Sequence, residues 1–157
     1  MFPGVIDARH YRRRSLGTVM ARILIAEDDR AVQSFVCRAL AHKGHGVRAV
    51  DDGLQALEAL AEAEFDLLIT DIVMPGLDGI ALALKVTRDR PDLPILLMTG
   101  YSAERQRAHN LEELICRVIT KPFTLEQICR TAAETLARDR ARRAPAPGGA
   151  FRPRARS

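Results

Sequence analysis

The sequence lacks tryptophan, holds only five phenylalanines and two tyrosines, and has only three cysteines. Cys37, Cys116 and Cys129 are odd in number and lie in scattered apolar contexts, which argues against a disulfide framework and favours a reducing cytoplasmic compartment. Their spacing does not suggest a zinc site. Long hydrophobic runs are also missing, because RILIA and PILLM fall far short of the roughly 20 residues of a membrane span. We therefore expect a soluble, cytoplasmic protein with no membrane partner.

The net charge of +4 conceals an acidic body between two basic ends. Residues 20–138 carry 3 Lys and 11 Arg against 18 Asp and Glu, whereas the first 19 residues have a net charge of +3 and the last 19 a net charge of +5. We expect residues 1–19 to be a disordered extension, since they lack the apolar core of a secretory signal. Residues 139–157 are rich in Arg, Pro, Gly and Ala, which is typical of a disordered basic tail. One folded domain over 20–138 remains.

Strand-like and helix-like segments alternate five times within that domain. Short apolar strands are predicted at 22–26, 46–50, 66–71, 95–99 and 118–120. Helical spacing follows them, as in the apolar residues Val32, Phe35, Val36, Ala39 and Leu40, and Gly44 ends that helix. The pattern predicts the α/β class: a doubly wound, five-stranded parallel sheet of order 2-1-3-4-5 with helices on both faces. The charged segment SAERQRAHNLEEL predicts a poorly buried, mobile fourth helix.

Polar residues stand where the predicted strands end. Glu27 and Asp28 follow the first strand, Asp71 ends the third, Thr99 ends the fourth and Lys121 follows the fifth. Ligands of doubly wound sheets bind at the shared carboxyl edge of the strands, so we expect these side chains to converge. Carboxylates about 5 Å apart repel by roughly 3 kcal/mol per pair at an effective dielectric near 20, and a cation relieves that cost. Hard oxygen ligands beside an open position suit Mg²⁺, and an anion such as a phosphate is expected next to it.

Each feature has a plainer explanation when it is taken alone. An acidic pair after a first strand is often a solvated helix start, and a strand that ends in aspartate is often only capped. The joint placement of five polar groups favours a site, with Asp29 as a helix-start residue outside it. His42 and His45 straddle the helix end at Gly44, so we expect them to interact with the helix C-terminus rather than with a metal.

Four motifs resemble, in order and separation, the receiver domain of bacterial two-component response regulators, the CheY-like family. They are ILIAEDD, LLITDIVMPGLDG, LLMTG and ITKPF, and the resemblance covers residues 20 to about 136. It implies that Asp71 accepts a phosphoryl group from a sensor histidine kinase or a histidine phosphotransferase, forming an aspartyl phosphate. It also implies Mg²⁺ as the cofactor, held by Glu27, Asp28, Asp71 and the backbone carbonyl of Val73, and a cis peptide bond before Pro122.

The resemblance further implies how phosphorylation is transmitted. Lys121 would bind the phosphoryl group, and Thr99 would swing toward its oxygens and reshape the fourth helix. Two departures from the family pattern stand out. Val118 replaces an aromatic residue whose rotamer normally follows the threonine, so transmission differs in detail. Val73 and Tyr101 replace polar residues that orient hydrolytic water, so we expect slow loss of the phosphate.

Within the family, the sequence is most similar to CpdR-like single-domain regulators. That similarity implies phosphorylation-controlled protein contacts, with the ClpXP protease as a candidate partner. The chain would be a signalling phosphoprotein rather than an enzyme, although it would assist its own phosphotransfer and dephosphorylation. A phosphorelay intermediate, a phosphate sink and a nucleic-acid binder acting through the basic tail stay open as alternatives, although we expect no direct DNA binding. A phosphatase-type hydrolase is disfavoured, since its Asp-x-Asp pattern requires an acid at Val73.

Overall fold

The computed structural model describes residues 20–100, 102–112 and 116–143, in which five strands alternate with five helices. The strands are β1 (Arg22–Ala26), β2 (Gly46–Val50), β3 (Leu67–Asp71), β4 (Ile95–Thr99) and β5 (Arg117–Thr120). The helices are α1 (Arg30–His42), α2 (Gly53–Glu62), α3 (Gly79–Asp89), α4 (Ser102–Glu112) and α5 (Leu125–Arg143). None of these helices is long and apolar enough to cross a membrane.

The C-terminal boundary of the folded domain differs from the prediction. Helix α5 continues to Arg143, so residues 139–143 are helical and do not belong to the disordered tail that the sequence suggested. An amphipathic helix that is packed over its first turns can extend through residues with good helix propensity, such as Ala and Arg. Residues 1–19 and 144–157 lie outside the described residues, so their disorder stays a prediction.

The strands form one parallel sheet of order β2-β1-β3-β4-β5, which confirms the predicted topology. Strand β3 is central, and all five of its residues are buried, as expected for a strand covered on both faces. The register pairs Ala26 with Thr70 and Asp71 with Met98. The carboxyl ends of β1, β3 and β4 therefore reach the same edge of the sheet.

Two apolar cores lie on opposite faces of the sheet, because successive strand residues point to opposite sides. Leu24 belongs to the core that includes residues of α2, α3 and α4, whereas Ile23 and Ile25 belong to the core that includes residues of α1 and α5. Helix α4 adds least: of its described side chains, only Ala108 is buried. Its predicted poor burial is confirmed, and its mobility stays a prediction.

Capping residues set the helix starts beside the carboxyl edge. Asp29 and Asp78 are the N-caps of α1 and α3: the Asp29 side chain accepts two backbone N–H groups, and the Asp78 side chain accepts one. Thr124 precedes α5 and forms a reciprocal pair with Gln127: the Thr124 Oγ1 accepts the Gln127 N–H at 3.1 Å, and the Thr124 N–H donates to the Gln127 Oε1 at 2.8 Å. Gly44 follows α1 with a φ of +92°, a backbone conformation that favours glycine. The predicted roles of Asp29 and Gly44 are confirmed.

His45 has a different role from the one predicted. Its side chain is buried, and its Nδ1 accepts the N–H of Ala21 at 3.0 Å. Burial lowers the pKa of the imidazole, although the nearby Asp66 carboxylate opposes that shift. A neutral, hydrogen-bonded imidazole is a structural link to the start of β1, not a cation placed at the end of α1.

Candidate functional site at the carboxyl edge

The sheet brings residues from four strand ends to one edge. Asp71 and Thr99 are the last residues of β3 and β4, Glu27 directly follows β1, and Lys121 directly follows β5. Since β1, β3, β4 and β5 are neighbours in that order, residues that are up to 94 positions apart in the chain become contacts. An open cleft of about 740 Å³ is lined by Glu27, Asp28, Asp71 and Lys121 together with apolar residues.

Three carboxylates form a compact group in this cleft. One carboxylate oxygen from each of Glu27, Asp28 and Asp71 lies within 4.8 Å of the other two. Glu27 is fully buried and Asp71 is 7% exposed, whereas Asp28 is exposed. Three hard oxygen donors beside an open cleft fit a divalent cation such as Mg²⁺, which binds carboxylates and keeps several waters. The predicted clustering of the acids is therefore confirmed.

The buried Glu27 carboxylate shows the electrostatic cost of this arrangement. Its pKa is raised to about 7, mainly because burial disfavours the charged form, and the nearby Asp71 carboxylate adds to the effect. The Asp29 N–H, which donates to the Glu27 Oε1 at 3.0 Å, opposes the rise, as does Lys121. A group in this position is readily stabilised in its charged form by an added cation, which supports the fit of the donor set to Mg²⁺.

Lys121 bridges two of the three carboxylates. Its Nζ lies 3.1 Å from the Glu27 Oε2 and 3.3 Å from the Asp71 Oδ2. Burial disfavours the ammonium, but the charges of Asp71 and Glu27 outweigh it and raise the pKa of Lys121. The backbone supports this placement, because the Lys121 N–H donates to the Thr99 carbonyl at 2.7 Å and the peptide bond to Pro122 is cis, as predicted.

The backbone around Asp71 is closely packed. The Asp71 Oδ1 accepts the Ile72 N–H at 2.8 Å, and the Asp71 carbonyl accepts the Thr70 hydroxyl at 2.9 Å. The loop that follows folds back, so that the Gly79 N–H donates to the Ile72 carbonyl at 2.8 Å. A Cβ at Gly79 would lie only 1.9 Å from the Asp71 carbonyl oxygen. The glycine therefore lets the start of α3 lie against the backbone of Asp71.

The hydroxyl of Thr99 has no hydrogen-bond partner within the described part of the chain. Thr99 is fully buried, and its Oγ1 is one of two buried side-chain polar atoms there without a partner. An unsatisfied buried hydroxyl costs about 1–3 kcal/mol, so such groups usually mark a function or a ligand. Thr99 directly follows Met98, which is paired with Asp71 across the sheet, so an anion held at Asp71 is a candidate partner for this hydroxyl.

The remaining predicted residues are only partly tested by the structure. Val73 is 51% exposed and lines the same cleft, whereas its carbonyl as a Mg²⁺ ligand stays a prediction. Val118 is half-buried on β5. Tyr101 lies outside the described residues, so its predicted effect on hydrolysis cannot be placed in the site.

Sequence reasoning missed two features next to the acids. Gln33 is buried in α1 and donates to the carbonyl of Glu27. Its signal was a polar residue at helical spacing from the buried Val36 and Leu40. Phe35, which fits the apolar spacing of α1, is 40% exposed and packs against Phe123 with a ring centroid distance of 6.2 Å, so it forms an apolar wall of the cleft.

Known proteins share this architecture and sequence pattern. A family model for the response regulator receiver domain matches residues 23–133. The response regulator receiver protein CpdR of Brucella abortus is 42% identical over 109 residues, which make up 69% of this chain and 91% of that protein. The response regulator MprA of Mycobacterium tuberculosis is 36% identical over 107 residues, which are 68% of this chain but only 46% of that protein.

Solved structures give the same result for the fold. The receiver domain of NtrX from Brucella abortus superposes with a TM-score of 0.68 at 26% identity, covering 73% of this chain and 98% of that one. The chemotaxis response regulator CheY4 of Vibrio cholerae has a TM-score of 0.68 at 25% identity, covering 74% of this chain and 99% of that one.

Proposed function

This chain belongs to the response regulator receiver domain family, and from that premise we propose that Asp71 accepts a phosphoryl group from a histidine kinase or a histidine phosphotransferase. One observation carries the proposal: Asp71 lies at the end of the buried central strand, in contact with Lys121 and within a group of three carboxylates. In the transfer, the P–N bond of the donor phosphohistidine breaks while an O–P bond to Asp71 forms, and the electron pair stays on the imidazole nitrogen. The chain is a signalling phosphoacceptor rather than an enzyme with a separate substrate.

The residues of the cleft have distinct parts in this transfer. Glu27, Asp28, Asp71 and the Val73 carbonyl would hold Mg²⁺, which when bound neutralises charge on the phosphoryl oxygens. Lys121, which contacts both buried carboxylates, can exchange one of them for a phosphoryl oxygen without leaving the site.

The buried Thr99 hydroxyl supports a conformational response. Phosphorylation adds about −1.5 to −2 charge and three acceptor oxygens beside a donor that has no partner. A hydrogen bond to a charged group contributes about 1.5–3 kcal/mol. Together with a Lys121 contact, this approaches the roughly 5.5 kcal/mol that inverts a two-state population. Helix α4 starts three residues after Thr99 and is poorly buried, so it is the element we expect to move.

Phosphoryl uptake from a small donor tests the proposal directly. Purified protein incubated with acetyl phosphate and Mg²⁺ should gain about 80 Da, and the gain should be lost with a chelator. The variant Asp71→Asn should not gain the mass, whereas Asp89→Asn, which changes an exposed aspartate at the far end of α3, should react like the wild type. Uptake by Asp71→Asn, or uptake that does not need Mg²⁺, would contradict the proposed site.

For the output, we propose phosphorylation-dependent protein contacts in the cytoplasm. The candidate partner is the ClpXP protease, as for CpdR-like regulators. The similarity to CpdR, which spans 91% of that protein, supports this choice. Binding of purified ClpXP should differ at least tenfold between the phosphorylated and unphosphorylated protein, and the donor should not change binding by Asp71→Asn. Equal binding of both forms would favour a relay or phosphate-sink role.

A further inference from the structure

Gln33 is a buried polar residue that phosphoryl transfer itself does not use. It is the fourth residue of α1 and is 5% exposed. Its Nε2 lies 2.9 Å from the Glu27 carbonyl oxygen, 3.0 Å from the Val50 carbonyl oxygen and 3.1 Å from the Asp51 Oδ1. One amide NH₂ has two hydrogens, so these three acceptors share two donors. The side chain thus joins the ends of β1 and β2 to α1.

Gln33 forms hydrogen bonds at both ends of the turn 27–29, which carries the clustered acids Glu27 and Asp28. The strand register of β1 ends at Ala26 on both sides, so the Glu27 carbonyl lies beyond the paired residues. The Gln33 side chain supplies a donor to that carbonyl, while the Gln33 backbone N–H donates to the carbonyl of Asp29 at 2.9 Å. One residue therefore holds both the first and the last carbonyl of the segment 27–29.

Asp28 depends on this restraint more than its neighbours do. The Glu27 carboxylate is held by Lys121 and by the N–H of Asp29, and the Asp29 carboxylate caps α1. The Asp28 carboxylate is exposed, and no hydrogen bond or ion pair to it is found among the described residues. Its distance from Asp71 is therefore set by the backbone of the turn, which Gln33 holds.

We propose that Gln33 is a positioning residue that holds Glu27 and Asp28 at the spacing from Asp71 that binds Mg²⁺. The proposal rests on the proposed function, because it concerns the metal affinity of the same site. Groups that orient metal ligands without touching the metal typically change affinity by about 10–100-fold when they are removed. Gln33 contacts no reacting atom, so it should act on the Mg²⁺ requirement and not on the transfer once Mg²⁺ is saturating.

The test separates metal affinity from the transfer rate. Gln33→Met and Gln33→Leu both remove the amide donors. Methionine leaves an unbranched apolar side chain in the buried position, and leucine leaves a compact one. The matched control is Thr135→Val, which removes another buried side-chain bond, from the Thr135 hydroxyl to the Thr131 carbonyl at 2.7 Å, far along α5. The dissociation constant for Mg²⁺ is measured by titration calorimetry, and the rate of the acetyl phosphate reaction is measured across Mg²⁺ concentrations.

We expect the Gln33 variants to bind Mg²⁺ about tenfold more weakly and to need about tenfold more Mg²⁺ for half-maximal phosphorylation. Their phosphorylation rate at saturating Mg²⁺ should stay within about twofold of the wild type, because the lost interaction affects binding and not the chemical step. Thr135→Val should change neither the Mg²⁺ affinity nor this rate. Unchanged Mg²⁺ affinity in a folded Gln33 variant overturns the inference. A lower maximal phosphorylation rate with an unchanged Mg²⁺ concentration for half-maximal rate overturns it as well. If the wild type itself gains no mass, the proposed function fails instead, and the two failures are distinguishable.

Discussion

Replacing Gly79 by alanine tests the close packing that places Asp71. The added Cβ would lie 1.9 Å from the Asp71 carbonyl oxygen, 2.8 Å from the Asp71 carbonyl carbon and 2.9 Å from the Ile72 Cα. All three are backbone atoms, so no side chain can rotate away. Optimal contacts between carbon atoms are about 3.5–4.0 Å, and the start of α3 and the end of β3 must therefore separate by about an ångström or more.

The structure sets the sign and the rough size of the effect. Overpacking of this kind costs about 1–3 kcal/mol, while alanine in place of glycine in a helix returns at most about 1 kcal/mol. We expect Gly79→Ala to lose about 1–2 kcal/mol of unfolding free energy. Because the displaced atoms belong to Asp71, the proposed phosphoacceptor, the rate of phosphoryl uptake should fall by about 100-fold, the usual cost of a 1 Å misplacement.

Urea unfolding followed by far-ultraviolet circular dichroism measures the first effect, and mass spectrometry with acetyl phosphate measures the second. With a urea slope of about 1–3 kcal/mol per molar, the midpoint should fall by roughly 1 M. The control is Gly46→Ala, whose Cβ would meet Arg22 at 3.9 Å and Ala21 at 4.0 Å, both ordinary contacts. If Gly79→Ala unfolds and reacts like the wild type, the close approach of α3 to Asp71 is wrong.

Three further changes have signs that the structure predicts. Thr99→Val should raise the unfolding free energy by up to about 1 kcal/mol, since it removes an unpartnered buried hydroxyl, while Asp71 should still gain phosphoryl mass; a loss of stability would show that the hydroxyl has a partner. Because the pKa of His45 is lowered in the folded protein, the stabilisation that the neutral imidazole provides is complete above pH 6.5, its ordinary pKa, and is lost as the pH falls below that value. His45→Gln should flatten this pH dependence of the unfolding free energy in urea. An unchanged pH dependence would refute the role given to His45. Val73→Asn should speed loss of the phosphate, measured by the decay of the phosphorylated mass, because an amide there can orient water; equal decay would contradict the expected protection.

The sheet and the placement of its polar residues could be predicted from the sequence because both are local properties. A buried strand has a continuous apolar run, and such a run ends at a recognisable residue, as at Asp71 or Thr99. Parallel strands align their carboxyl ends, so residues at those ends converge whatever their separation in the chain. The helix-start role of Asp29 was equally local, because a cap acts on the next three residues.

Errors occurred where a side chain depends on its neighbours in space. Phe35 fits the apolar spacing of α1, yet it lies at the edge of the buried stripe, and the nearby Phe123 covers only part of its ring. His45 was assigned from its position after a helix, whereas its environment comes from the start of β1, 24 residues away. The domain boundary expected at residue 138 lies within α5, which continues to Arg143, since charged composition alone does not tell a solvated helix from a tail.

The sequence by itself determined the order of strands and helices, the family and the polar residues that meet at the carboxyl edge of the sheet. Only the tertiary structure decided the distances that give these residues their chemistry: the 3.1 Å contact of Lys121 with Glu27, the buried hydroxyl of Thr99 and the amide of Gln33 on the acidic turn. The physical reason is that periodicity and capping act over a few residues, whereas burial and electrostatic coupling depend on how distant segments pack around one sheet edge.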